Sequence, residues 1–125
     1  MYQTAYRNQY RQQDVLSASP LRLVIMTYDL AIQSCQQQDF AKAIKTISAL
    51  RDALDMDYPE VANGLFSLYQ WCMECIRKGD YDSAARTLSE LRGAWAETEK
   101  QIVARQSVTS PLPAYAPKSF GNILT

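Results

Sequence analysis

The sequence predicts an all-α protein: an antiparallel four-helix bundle with a short N-terminal helical arm and a disordered C-terminal tail. Three observations carry that expectation. Apolar residues recur at spacings of three and four through four successive segments, with no run alternating as a strand would. Each segment opens on a residue suited to start a helix, namely Ser19-Pro20, Asp39, Pro59 or Asp80. A stretch of sequence also repeats 41 residues later, as two copies of one helical hairpin would.

The first helix is expected from about Pro20 to Gln37. Ser19 can accept a hydrogen bond from a free first-turn amide, and Pro20 at the first helical position loses nothing by lacking an N–H. Leu21, Val24, Ile25, Tyr28, Ile32 and Cys35 then share one face. Asp39 caps the second helix, whose stripe is Ala43, Ile47, Leu50 and Leu54. Pro59 starts the third and Gly79 ends it, with Leu65, Leu68, Cys72 and Ile76 facing inward. Asp80 caps the fourth, where Ala84, Leu88, Leu91, Trp95 and Ile102 continue to about Arg105. Connections this short make neighbouring helices antiparallel.

The repeat aligns Asp39-Phe40-Ala41-Lys42-Ala43-Ile44 with Asp80-Tyr81-Asp82-Ser83-Ala84-Ala85 and brings Tyr28 onto Tyr69. Residues 1–106 read as one helical domain that includes the arm, and 107–125 as a flexible tail. Pro111, Pro113 and Pro117 remove backbone donors and fix φ there, so neither helix nor central strand continues. Tyr115, Phe120 and Leu124 give that tail the makings of a short docking motif.

Composition excludes several functions. Thirteen basic residues balance thirteen acidic ones, and no run of Lys or Arg forms a phosphate-tracking stripe, so no nucleic-acid partner is expected. No apolar run approaches the length of a spanning helix, and the polar start at Met1-Tyr2-Gln3-Thr4 lacks the apolar core of a signal peptide. A cytoplasmic chain without membrane insertion is expected, its three cysteines reduced.

The chain contains no histidine and no Gly-rich phosphate loop, so no catalytic residue, cofactor or metal is expected. Asp29 is better read as a partner in a surface or inter-helix hydrogen bond than as an acid or base. Cys72-Met73-Glu74-Cys75 falls in the second half of its helix, where the dipole opposes a thiolate, and Cys35 is the only other thiol. Core packing explains these cysteines better than a redox or metal-sensing role.

Apolar residues exceed one core stripe. Leu23, Met26 and Leu30 widen the first helix, and Phe66, Tyr69, Trp71 and Met73 widen the third. The surplus fits either a broad core or a groove for an amphipathic segment of another protein.

Ser17-Ala18-Ser19-Pro20 followed by an apolar helix bearing Tyr28-Asp29 resembles the flagellar secretion chaperone family, FliS. The resemblance extends over roughly residues 1–105, through Tyr2, Tyr6 and Tyr10, Leu68-Tyr69 and Ala94-Trp95. Leu30 and Gln70 depart from it, where the family has Gly and Asp. The resemblance implies a chaperone that holds the disordered C-terminal segment of flagellin in a hydrophobic groove, preventing early polymerisation, and helps deliver it to a membrane export-gate component. The candidate binding residues are Tyr6 and Tyr10 of the N-terminal arm together with Leu23, Met26, Leu30, Phe66, Tyr69 and Met73 of the surplus apolar faces. Tyr6 matches a family tyrosine implicated in the handover, and residues 2–13 form an arm expected to shield the groove. The alternative is a scaffold of helical hairpins, akin to tetratricopeptide modules, that binds another cytoplasmic peptide; its usual period is shorter than 41 residues.

Overall fold

Local chemistry sets the helix ends. In the computed structural model, which describes residues 19–105, the Ser19 hydroxyl accepts a hydrogen bond from the Arg22 N–H at 3.1 Å and starts α1 (Pro20–Gln36). Asp39 and Asp80 repeat the device for α2 (Phe40–Asp52) and α4 (Tyr81–Ala104), accepting from the Lys42 and Ser83 amides. In α3 (Pro59–Arg77) the first turn begins with Pro59, and Tyr58 makes no side-chain cap.

The two tight corners share one geometry. After α1 the Asp39 N–H reaches back to the Ser34 carbonyl at 2.9 Å; after α3 the Asp80 N–H reaches Cys75 at 2.8 Å. These are the closing bonds of Schellman caps, which need a left-handed residue. Gly79 supplies it at φ +82°, and Gln38, its counterpart in the repeat, is forced to φ +54°. A non-glycine residue pays for that conformation, so Gln38→Gly is expected to stabilise the protein by about 1 kcal/mol. Gly79→Ala should lose about as much from backbone conformation alone, since its added Cβ would meet open space. Urea midpoints of the two variants check both signs.

Residues 37–39 and 78–80 join the helices of each hairpin, so α1 runs against α2 and α3 against α4. The four form a ring: α1 packs on α2 and α4, and α3 packs on the same two, leaving α1 and α3 diagonal to one another. The centre is filled by Leu21, Ile25, Tyr28, Ile47, Leu50, Tyr69, Ile76 and Leu88, all fully buried. Among the described residues there is no strand.

Two sequence expectations are corrected. Leu68 does not face inward: it is 39% exposed, and Tyr69 takes the core position beside it. The inward line of α3 is centred on Ala62, Tyr69, Cys72 and Ile76, which puts Leu68 on its flank. Leu54 lies beyond the end of α2, in the loop, where it still packs against the core. The N-terminal arm, with Tyr6 and Tyr10, and the tail 107–125 lie outside the described residues.

Candidate functional site

Three residues that carry the family resemblance meet at the centre of the bundle. Tyr28 comes from α1, Tyr69 from the diagonal helix α3 and Trp95 from α4. The two tyrosine hydroxyls share a hydrogen bond, their ring centroids are 6.3 Å apart, and the indole N–H of Trp95 donates to the Tyr28 hydroxyl at 3.2 Å. Burial pushes the Tyr28 phenol up to about 12. It raises Tyr69 further, with the neighbouring Tyr28 adding to the effect. Both stay protonated at neutral pH, so the network is a neutral clasp that fixes α1 against α3 rather than a source of protons.

The seam between α1 and α4 is held by charge. Arg92 donates to both carboxylate oxygens of Asp29, at 2.8 and 3.3 Å, and Arg22 clasps Glu99 through two nitrogens. Asp29 thus makes the inter-helix bond that its position suggested. Gln70, where the family has Asp, accepts from Arg51 of α2 at 2.9 Å, so a polar link across α2 and α3 is present at that position.

The selected binding residues divide by exposure. Met26, Tyr69 and Met73 are buried, Leu23 and Leu30 are half-buried, and Phe66 is exposed. Met73 packs into the core under a contact from the Ser48 hydroxyl, whereas Met26 is buried apart from the main core cluster. Leu23, Met26 and Leu30 occupy the side of α1 turned away from its core line. Phe66 stands on the flank of α3 nearer α2.

On the opposite flank of α3, Val61, Leu68 and Trp71 are all exposed. Their spacing of seven and three places them on one stripe. Val61 also lines a shallow cavity of about 140 Å³ with Leu65, Leu91, Ala94, Trp95 and Thr98, which locates this stripe beside α4. Sequence reading had turned Leu68 inward and passed over Val61. The seven-residue step from Val61 to Leu68 was the available signal.

The thiols of Cys35, Cys72 and Cys75 are free and buried. Burial pushes Cys35 up to about 11 and Cys72 up to about 12, which keeps both as unreactive thiols at neutral pH. Among the described residues no group of His, Cys, Asp or Glu is placed to hold a metal ion, and no helix is long and apolar enough to cross a membrane.

The family model described as "Flagellar protein FliS" matches residues 36–102, from the end of α1 through most of α4, more than half of the chain. No curated protein and no solved structure matches.

Proposed function

The chain belongs to the FliS family of flagellar export chaperones, and on that premise we propose that it binds the C-terminal segment of flagellin. The observation that supports the reading best is the apolar surface of α3 left over after the core is filled, with Phe66 and Trp71 41% and 47% exposed. A segment that is unstructured alone orders only if it buries enough apolar area to offset its lost entropy. The second proposed surface is the side of α1 with the half-buried Leu23 and Leu30, supported by the buried Met26. Phe66 makes direct contact in this reading, while Tyr69 and Met73 support it from beneath. The arm bearing Tyr6 and Tyr10 covers part of the groove until flagellin displaces it, and Tyr6 serves the handover to the membrane export gate. Residues 1–106 act as the chaperone unit in the cytoplasm.

Calorimetry with a flagellin C-terminal peptide is expected to show one-to-one binding with a large negative heat-capacity change. Phe66→Glu should weaken that binding at least tenfold, because its carboxylate would have to be desolvated, while leaving the thermal midpoint unchanged. Absence of heat at tens of micromolar peptide, roughly 6 kcal/mol of binding, would overturn the proposal.

A further inference from the structure

Val61 belongs both to the exposed line of Val61, Leu68 and Trp71 on α3 and to the shallow cavity closed by α4, so the cavity opens onto that apolar line. Leu68 and Trp71 stand outside the core cluster and the side chains packed against it, and a helix flank gains nothing by displaying three large apolar side chains in line. The cavity's rim is acidic. Glu90 and Glu97 stand four residues before and three after Ala94, which lines the cavity, so both lie on Ala94's flank of α4, and both are exposed.

We propose that this chain's own segment 107–125 folds back along α4 and occupies the cavity and the apolar line as one groove between α3 and α4 in the free protein. The α4 helix ends at Ala104, a short way past Thr98 at the groove's edge. Six or seven residues of helix span only about 10 Å. The way from Ala104 back past Val61 to Trp71 is about 25 Å, and the stretch 105–120 spans up to about 53 Å, so Phe120 reaches the level of Trp71 with length left for the chain to reverse. The segment suits the surface in three respects. Tyr115, Phe120 and Leu124 supply side chains for an apolar trough. Pro111, Pro113 and Pro117 favour extended backbone and lower the entropy lost on docking. Its only charged side chain is Lys118, opposite in sign to Glu90 and Glu97. Occupied in this way, the groove is a contact that any partner binding there has to displace.

The test uses the full chain and its two tryptophans, Trp71 and Trp95. Trp95 is buried, so acrylamide quenching of the fluorescence reports mainly on Trp71. The double variant Phe120→Ser with Leu124→Ser should raise the quenching constant about twofold and shift the emission to the red. Lys118→Glu should do the same to a smaller extent, and adding Glu90→Lys should reverse it. All these changes lie on the surface or beyond α4, and unchanged far-UV circular dichroism confirms that the bundle is intact. Quenching identical to wild type in the tail variants would overturn the proposal. So would quenching of the wild-type chain that falls with rising protein concentration, which identifies a second copy as the occupant. No flagellin enters the experiment, so its outcome is separate from that of the proposed function.

Discussion

Trp95→Ala is expected to lower the free energy of unfolding by about 3–5 kcal/mol, the usual cost of truncating a large buried aromatic residue. Trp95 is 5% exposed and reaches a point where three helices share a polar contact. The substitution removes the ring that fills the space between α3 and α4 and also the N–H donated to Tyr28. Trp95→Phe separates the two effects, since it keeps a ring but no donor. Loss of that hydrogen bond adds about 1 kcal/mol to a modest packing cost. Urea unfolding followed by circular dichroism measures both. A loss below 1 kcal/mol for the alanine variant would mean that the helices close over the gap and that the clasp does not set their spacing.

Alkaline pH should unfold the protein through the same clasp. A tyrosine in the unfolded chain loses its proton near pH 10, whereas Tyr28 keeps its own until about 12 and Tyr69 is shifted in the same direction. Below pH 10 both states are protonated and the full contribution of the pair is present. Above it the unfolded chain binds fewer protons than the folded one, and stability falls by about 1.4 kcal/mol per pH unit for each tyrosine. Together they withdraw about 3 kcal/mol by pH 11. Cys35 and Cys72, raised by burial, act in the same sense and start from about pH 9. The double variant Tyr28→Phe with Tyr69→Phe should therefore show a shallower loss between pH 10 and 11 than the wild type. Coincident pH profiles, measured by urea titration at each pH, would show that the two phenols do not govern alkaline unfolding.

The proposed binding surface was legible in part. Sequence periodicity marked α1 and α3 as apolar over too wide an arc, and Phe66 was selected from that surplus and is exposed. Tyr69 and Met73 came from the same surplus and are buried. The two outcomes differ because the arc covered by neighbours depends on how α2 and α4 lean against α3, which α3's own residues do not encode. Trp71 belonged to that surplus and is exposed, whereas Val61 was passed over and Leu68 was turned inward for the same reason.

The sequence by itself determined what depends on residues a few positions apart. Ser19, Asp39 and Asp80 satisfy amides three residues on, Pro20 and Pro59 fit a first turn, and Gly79 accepts the left-handed corner, so the helix starts and the second tight turn are local chemistry. The repeat likewise fixed two matching hairpins, down to Gln38 standing where its counterpart is Gly79. Only the tertiary structure decided that Tyr28 meets Tyr69 across the diagonal and that Arg92 finds Asp29. It also decided that Leu68 turns out where Tyr69 turns in. An apolar or polar side chain lowers its free energy by whichever contacts the packed helices bring within reach, and those contacts join residues more than forty positions apart.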